Sequence, residues 1–226
     1  MDVINSSTQS VVFRAGAPTK KTSLSWRIKR CGDFAMALVL LGFLLPIMLL
    51  VVAAIRTSSR GPIIFGHQRV GHDGRIFTCL KFRTMYVDAV DRLDGLLSND
   101  PAVAAEWALR RKLDRDPRVT PIGRWLRALS LDELPQLINV LRGDMSMVGP
   151  RPVTDDELLR YGVCARWYVS VYPGITGLWQ VKGRSDLSYG ERVELDRQYA
   201  EEWSLWQDIA IILRTPPAVF LRRGAQ

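Results

Sequence analysis

Histidine and paired cysteine are scarce in this chain of 226 residues. The two histidines, His67 and His72, leave little material for a Ser-His-Asp triad and nearly exclude a multi-histidine metal site. The three cysteines, Cys31, Cys79 and Cys164, are far apart and form no C-x-x-C pair, which argues against a disulfide framework or a zinc site. A reducing compartment that faces the cytosol is therefore favoured. Carboxylates must supply any acid, base or metal-binding chemistry.

An excess of basic residues indicates an anionic partner. The chain has 31 Lys and Arg against 23 Asp and Glu, a formal charge of +8, which suits nucleic acid, an acidic lipid surface or a phosphorylated small molecule. Nucleic acid is disfavoured, because acidic residues interrupt the basic ones and no basic stripe forms. With 47% hydrophobic residues and no internal repeat, the chain is predicted to form one catalytic-sized domain rather than a disordered tail.

One stretch, 34–55, contains 22 residues without a charge, and 20 of them are hydrophobic. A straight helix of that length would reach about 33 Å, enough to cross the core of a bilayer. Pro46 lies in the middle, where it removes a backbone N–H and its ring clashes with the preceding turn. The proline would leave arms at 34–45 and 47–55, each too short to span a membrane.

The charges around this stretch test its topology, because the cytoplasmic side of a membrane segment is normally richer in Lys and Arg. Both flanks are basic, with Lys20, Lys21, Arg27, Lys29 and Arg30 before the stretch and Arg56, Arg60, Arg69 and Arg75 after it. We therefore predict a re-entrant membrane hairpin over 26–60 that turns at Pro46 and keeps both flanks inside. A spanning helix and a buried core helix are the alternatives. Residues 1–25 are predicted to be a flexible tail, and 61–226 the cytosolic catalytic domain.

The remaining pattern predicts an α+β fold that is mainly helical. Short apolar runs at 62–65 and 76–82, separated by glycines, indicate a hairpin. Helices are predicted over 86–113 with a break at Asp100-Pro101, and over 121–128, 132–142, 154–161 and 189–213. A short extended piece is predicted around Ile175, Leu178 and Val181.

One face of the helix predicted at 189–213 is apolar near its end. Residues spaced by three and four form this face: Trp203, Trp206, Ile209, Ala210 and Leu213. Such a face either packs in the core or lies in the lipid headgroup layer, with Pro216-Pro217 ending the helix.

Two adjacent carboxylates, Asp132 and Glu133, stand at the predicted start of a helix. One interpretation is structural: Asp132 is the helix N-cap, or Ser130 and Glu133 form a capping box. The other is chemical, because the unpaired N–H groups and the dipole of a helix N-terminus keep a carboxylate ionised and attract phosphate. An ionised carboxylate is a usable nucleophile, and its neighbour points about 100° away, where it can hold a hard cation such as Mg²⁺.

Basic residues near this pair are candidates to hold phosphate. Arg127 precedes the pair by five residues, and Arg151 is fixed in direction between two prolines. Lys81 and Arg83 alternate with apolar residues on a predicted strand and so share one face, which borders an anion site or faces solvent.

Four segments together resemble the bacterial sugar transferases known as monotopic phosphoglycosyl transferases. They are Lys-Phe-Arg-Thr-Met at 81–85, Leu-Ser-Leu-Asp-Glu-Leu-Pro-Gln-Leu at 129–137, Gly-Asp-Met-Ser-Met-Val-Gly-Pro-Arg-Pro at 143–152 and Pro-Gly-Ile-Thr-Gly at 173–177. The likeness covers roughly 26–223. The short chain looks like the exopolysaccharide-initiating members that transfer galactose or glucose 1-phosphate.

This resemblance implies an enzyme on the cytoplasmic face of the bacterial inner membrane. It would move a hexose 1-phosphate from a UDP-sugar to polyprenyl (undecaprenyl) phosphate by a ping-pong mechanism and release UMP. By position in the motifs, Asp132 would attack the sugar-linked phosphorus to give a covalent phosphosugar-aspartate, and Glu133 would bind Mg²⁺. Arg127 and Arg151 would hold phosphate oxygens.

The same motifs supply further site candidates. Lys81 and Arg83 are assigned to substrate phosphate, with Thr176 and Arg184 as additional candidates. The chain departs from the family at the membrane break, where Leu45-Pro46 stands in place of a common Ser-Pro. It also departs at 182–184, where Lys-Gly-Arg replaces a common Asn-Gly-Arg.

A second function, from a different class, is a membrane-tethered basic module that binds anionic lipid or nucleic acid. It requires salt-dependent binding that survives Asp132→Asn, whereas the enzyme requires Asp132 for the release of UMP. A purely structural membrane scaffold leaves Asp132, Glu133 and Arg151 without a purpose. Beyond the two substrates and the membrane, the partners to test are downstream glycosyltransferases and a second copy of the chain.

Overall fold

The computed structural model describes residues 23–110, 113, 116–183 and 187–220. The helices are α1 (Ser23–Ser58), α2 (Ala89–Asn99), α3 (Pro101–Arg110), α4 (Pro121–Ala128), α5 (Gln136–Arg142), α6 (Asp155–Leu159), α7 (Ala165–Val169), α8 (Leu178–Lys182), α9 (Tyr189–Glu202) and α10 (Leu205–Phe220). The strands are β1 (Ile64–Val70), β2 (Ile76–Phe82), β3 (Ser146–Val148) and β4 (Gly174–Thr176). Strands β1 and β2 pair antiparallel, and β3 and β4 pair parallel. The predicted class, a mainly helical α+β fold, is confirmed at this level.

The apolar stretch lies within one continuous helix, α1, and the predicted break at Pro46 is absent from it. Leu44 and Leu45 precede the proline, and Met48 and Leu49 follow Ile47. Leucine and methionine are strong helix formers. A proline in a helix loses a backbone bond, and packing on neighbouring elements offsets that loss. Beyond the proline, Met48 and Ile55 are buried in a cluster with Phe82 and Leu126. By length and composition, α1 is able to cross a membrane.

One stripe of α1 contacts the globular body along almost the whole helix. The residues of this stripe recur at intervals of three and four: Lys29, Asp33, Ala37, Leu41, Leu44, Met48, Val51 and Ile55. Leu41 packs against the apolar clusters at both ends of the stripe. The opposite face is apolar and open, with Phe43 74% and Leu50 71% exposed. The helix therefore lies along the body and touches it near both of its ends.

A buried polar network fixes the N-terminal half of α1. Lys29 Nζ donates to Asp208 Oδ2 at 2.7 Å and to Val148 O at 3.1 Å. Asp33 Oδ2 accepts from Ser146 Oγ at 2.8 Å. These bonds join α1 to β3 and to α10.

The predicted hairpin is confirmed as β1 and β2, and its register decides which side chains share a face. Lys81 lies opposite Phe65, and Cys79 lies opposite His67. Because side chains alternate along a strand, Arg69 shares the face of these residues. The hairpin therefore presents two cations, from different strands, on the same side.

Local capping signals position several of the helices. Asp100 accepts the first backbone N–H groups of α3, which confirms the predicted break between α2 and α3. Thr120 caps α4, with Pro121 in its first turn. Thr154 and Glu157 form a capping box at α6.

The C-terminal part differs from the prediction in three respects. The single helix predicted over 189–213 is interrupted at Trp203, which has extended backbone angles, and so becomes α9 and α10. Helix α10 continues through Pro216 and Pro217 to its end at 220, because contacts with α8, β3 and β4 hold it. Leu178 and Val181 belong to α8, since the glycines around them bound one short helix rather than an extended piece.

The apolar face near the C-terminus is divided between core and surface. Trp203 is buried and stacks on Trp26 of α1, with ring centroids 4.6 Å apart. Trp206, Ile209 and Leu213 are 80%, 46% and 71% exposed. Core packing is therefore wrong for these three residues, because α10 contacts the body through its other face.

Candidate active site

Asp132 and Glu133 lie on a 3₁₀ turn and cap no helix. Ser130 before them has a left-handed backbone (φ +55°) and makes no capping bond with its side chain, so both capping predictions are wrong. Pro135 has no N–H for a bond to the carbonyl four residues earlier. The chain instead forms successive turns closed by bonds from residue i to i−3, and α5 begins after the proline.

The two carboxylates meet the predicted phosphate-binding cations. Glu133 Oε1 lies 2.7 Å from Lys81 Nζ and 3.4 Å from Arg151 Nη2. Asp132 is buried at 9% exposure, and the charges that act on it are those of Glu133, Lys81 and Arg127. The pair is thus bordered by cations and does not point into a dry apolar core.

The pair also lies next to the membrane helix. Leu131 and Leu134, which flank the pair in the chain, pack into the apolar cluster that contains Met48, Val51 and Ile55 of α1. The turn therefore connects the charged site to the apolar face of the body.

Burial has different outcomes for the two carboxyl groups. It raises the pKa of Asp132, and the charge of Glu133 raises it further, against Lys81 and Arg127. Burial also acts to raise the pKa of Glu133, but Arg151 and Lys81 outweigh it and hold that pKa below its ordinary value. The surroundings therefore shift the two pKa values in opposite directions, upward for Asp132 and downward for Glu133.

A polar cleft opens beside Glu133. Arg69, Lys81 and Arg151 line this cleft, and Glu133, Gln136 and Gln180 complete its polar lining. The charged groups of the lining are three cations and one carboxylate. Such a cleft favours a ligand with more than one negative charge.

Two glycine-containing segments, 149–152 and 173–177, form one wall of the cleft. Gly149 N donates to Thr176 O at 2.9 Å, and Gly174 N donates to Pro150 O at 2.8 Å. A Cβ on Gly149 would lie 2.2 Å from Tyr172 O, so glycine is required for this contact. The close approach fixes the loop that carries Arg151.

Three other predicted site residues have different surroundings. Arg127 Nε donates to Thr84 Oγ1 at 2.9 Å, and burial lowers the pKa of Arg127 against the effect of Asp132. Thr176 Oγ1 bonds Thr215 Oγ1 at 2.8 Å and so ties β4 to α10. Arg184 lies outside the described residues.

Arg83 does not share the face of Lys81. Strand β2 ends at Phe82, so the alternation that predicted a shared face stops before Arg83. Its buried guanidinium donates to the backbone and hydroxyl oxygens of Ser59, just after α1. The contacts of Arg83 thus hold the end of the membrane helix.

Arg69, Gln136 and Gln180 line the cleft but were not among the predicted site residues. Arg69 was counted among the charges that flank the apolar stretch. In the hairpin register, Arg69 lies an even number of positions from Phe65, the partner of Lys81, so both cations face the same side. Pairing the two strands of the hairpin is the step that would have identified Arg69. Gln180 carried no comparable signal, because its segment was predicted to be extended.

The residues present fit Mg²⁺ as a partner of substrate phosphate. Within the described ranges, no group of three or more His, Cys, Asp and Glu side chains is placed to hold a metal. Protein sites for Mg²⁺ often use one or two carboxylates, with waters and substrate phosphates completing the shell. Asp132 and Glu133 provide two adjacent carboxylates. Burial, and to a smaller extent the charge of Glu133, raise the pKa of Asp132, and a cation would offset both effects.

Comparison with known proteins agrees with this site. The family model for the bacterial sugar transferases matches residues 24–222. The chain therefore belongs to the bacterial sugar transferase family.

Individual relatives are similar over most of this chain. It is 49% identical over 197 residues to the exopolysaccharide production protein ExoY of Sinorhizobium fredii, covering 87% of each chain. It is 48% identical over 198 residues to the undecaprenyl-phosphate galactose phosphotransferase of Salmonella typhimurium, covering 88% of this chain and 41% of that one. It is 41% identical over 229 residues to the UDP-glucose:undecaprenyl-phosphate glucose-1-phosphate transferase of Caulobacter vibrioides, covering 97% and 79%. The predicted family is confirmed, which favours the enzyme over the binding module.

Proposed function

We propose that this protein transfers a hexose 1-phosphate from a UDP-sugar to undecaprenyl phosphate, as the first step of exopolysaccharide repeat-unit assembly. The names of the relatives support galactose or glucose as the sugar and undecaprenyl phosphate as the acceptor. The observation that carries the proposal is the position of the turn with Asp132 and Glu133: Glu133 lines a cationic cleft, and Leu131 and Leu134 of the same turn pack into the apolar cluster of α1. A nucleotide enters such a cleft from water, and a lipid phosphate approaches from the side of α1.

The reaction has two displacement steps at one phosphorus. A carboxylate oxygen of Asp132 attacks the sugar-linked phosphorus of the UDP-sugar, the bond to the bridging oxygen breaks, and UMP leaves with that oxygen. An oxygen of undecaprenyl phosphate then attacks the same phosphorus, the bond to Asp132 breaks, and the free carboxylate returns. The raised pKa of Asp132 suits this role, because a more basic carboxylate oxygen is a stronger nucleophile once ionised.

The cations stabilise the charge that accumulates on the phosphoryl oxygens and on the departing UMP. Preorganised positive groups are the main source of catalysis in phosphoryl transfer. Lys81 and Arg151 contact Glu133 and line the cleft, so Glu133 orients them toward the diphosphate. Arg127 acts from the side of Asp132. Mg²⁺, held by Glu133, would neutralise diphosphate charge and supply a Lewis acid.

Membrane attachment is proposed to use α1 together with α10. The stripe of α1 on the body includes residues near both of its ends, so a helix crossing the bilayer would pull one end away from its contacts. We therefore propose that the unbroken α1 lies within one leaflet, without the predicted turn at Pro46, and that both of its ends are on the cytoplasmic face. Trp206, Ile209 and Leu213 of α10 are exposed, and such side chains suit the headgroup layer.

Mass measurement of the intact protein tests the nucleophile and the donor together. After incubation with UDP-galactose, UDP-glucose or other UDP-sugars and Mg²⁺, the protein should gain the mass of one hexose phosphate. Asp132→Asn should abolish the gain, and Asp155→Asn, at an exposed position of α6, should leave it intact. An unmodified protein with every donor, or an adduct that survives Asp132→Asn, would contradict the mechanism.

Thiol labelling tests whether both ends of α1 lie on the cytoplasmic face. Cys31, near the start of α1, is exposed, and Ser58→Cys would add an exposed thiol at its end. In a Cys164→Ser background, a membrane-impermeant reagent should label both positions in inside-out vesicles and neither in right-side-out vesicles. Labelling of the two thiols from opposite sides would support a spanning helix instead.

A further inference from the structure

Arg69 lies in the cationic cleft although no motif of the family resemblance includes it. It is on β1, and the hairpin register turns it to the same face as Cys79 and Lys81 of β2. Arg69 lines the cleft with Lys81 and Arg151. Its charge also contributes to lowering the pKa of Glu133.

A carboxylate outside the cleft holds the Arg69 guanidinium. Arg69 Nη1 donates to Glu157 Oε2 at 2.8 Å. The same oxygen accepts from Thr154 N at 2.9 Å, as part of the capping box of α6. Glu157 is therefore anchored to backbone, and it restricts the orientation of the arginine. The Nη1 atom is the guanidinium nitrogen that this contact uses, and a guanidinium has further N–H donors.

A purely structural role for this ion pair explains less. The end of β1 is already joined to the loop that follows Pro152, through a bond of 2.9 Å from Val70 N to Val153 O. Tyr168 OH donates to Val70 O at 2.7 Å and secures the same strand end. The side chains of Arg69 and Glu157 are 22% and 44% exposed, and ion pairs with such exposure add little to stability. The hairpin is thus fixed without the arginine.

We infer that Arg69 binds phosphate oxygens of the nucleotide diphosphate, as a third cation beside Lys81 and Arg151, and that Glu157 positions it. This inference rests on the proposed function. The cleft needs more positive charge than Lys81 and Arg151 provide, because Glu133 pairs with both of them. A nucleoside diphosphate brings at least two negative charges, and a planar guanidinium bonds two phosphate oxygens at once.

Binding of UDP, measured by calorimetry with Mg²⁺ present, tests the role of Arg69 without turnover. Arg69→Gln should weaken UDP binding at least tenfold and raise KM for the UDP-sugar more than it lowers kcat. Arg69→Lys keeps the charge but loses the planar guanidinium that can bond two oxygens at once, and it should recover part of the affinity for UDP. Arg75→Gln, on the exposed turn of the same hairpin, should bind UDP as the parent does.

Glu157→Gln distinguishes phosphate binding by Arg69 from a structural role of the ion pair, because it breaks the same ion pair and keeps Arg69. If the ion pair has only a structural role, Arg69→Gln and Glu157→Gln will lower the unfolding temperature equally and will bind UDP with the same affinity as each other. That result would overturn the inference. If Arg69 binds phosphate, Arg69→Gln will weaken UDP binding well beyond Glu157→Gln. Should Arg69→Gln fail to fold, Arg69→Lys and Glu157→Gln give the same comparison. A parent protein that neither binds UDP nor forms the phosphosugar adduct would overturn the proposed function itself.

Discussion

Replacing Lys29 with methionine should destabilise the fold, because Lys29 is a buried charge that joins α1 to the body. Its ammonium lies 2.7 Å from Asp208 Oδ2 and 3.1 Å from Val148 O. Both side chains of the ion pair are almost inaccessible, at 2% for Lys29 and 9% for Asp208. Methionine has a similar shape, so the change removes the charge and its bonds while leaving little empty space.

The expected cost follows from what is left behind. Removing one partner of a buried pair typically costs about 3–5 kcal/mol, because the other charge stays buried without compensation. Asp208 keeps two donors, Tyr199 OH at 2.8 Å and Trp203 Nε1 at 3.0 Å. We therefore expect the lower end, about 3 kcal/mol, which for a chain of this size lowers the midpoint of thermal unfolding by about 6–12 °C.

Guanidinium titration of the protein in detergent micelles, followed by tryptophan fluorescence, measures this loss. Arg27→Met is the matched control, since it removes an exposed charge two residues away and should change the free energy of unfolding by less than about 1 kcal/mol. Adding Asp208→Asn to Lys29→Met removes the nearer of the two buried carboxylates that lose Lys29, the other being Asp33 at 3.8 Å, and should restore part of the stability. Equal effects of Lys29→Met and Arg27→Met, or no recovery in the double variant, would refute the reasoning.

Three further predictions concern the carboxylate pair and one close contact. Asp132→Asn should stabilise the protein at neutral pH, because it removes a carboxyl group whose folded pKa is raised. The gain is full above that raised pKa and shrinks as the pH falls toward about 3.9, the value of an unfolded Asp; thermal unfolding at several pH values that shows a growing gain in acid would contradict this. Arg127→Gln should move the acid limb of adduct formation to higher pH, since Arg127 lowers the pKa of Asp132, and an unchanged rate–pH profile would count against it. Gly123→Ala should cost about 1–3 kcal/mol of unfolding free energy by overpacking, because the new Cβ would lie 2.0 Å from Thr84 O. Gly95→Ala, in open space on α2, should stabilise by about 0.5–1 kcal/mol, and equal melting temperatures of the two variants would disprove the contact.

Elements governed by short-range signals were predictable from the sequence. Thr120 and Pro121 mark the start of α4, and Asp100 marks the break before α3, because a cap acts within one turn. The alternating runs of the hairpin were equally local. Pro46 shows where this reasoning fails, because its effect on a helix depends on the packing of residues on both sides.

The candidate site was predictable in its chemistry but not in its geometry. The motifs identified Asp132 and Glu133, yet the missing N–H of Pro135 turned the expected helix start into a 3₁₀ turn. The opposite pKa shifts of the two carboxyl groups depend on burial and on which cations approach each one, and Arg151 comes from a distant loop. Arg69 required the register of the hairpin, which spacing along one strand does not reveal.

The stripe of α1 on the body has a practical consequence for preparing the enzyme. Ala37 belongs to the larger apolar cluster, and Met48, Val51 and Ile55 belong to the one beneath the catalytic turn. A fragment that starts at residue 61 would lose these side chains and leave their partners open to water, including Leu131 beside Asp132. Truncation before residue 61 should therefore not give a stable water-soluble fragment, and the protein has to be purified with α1 intact, in detergent or lipid.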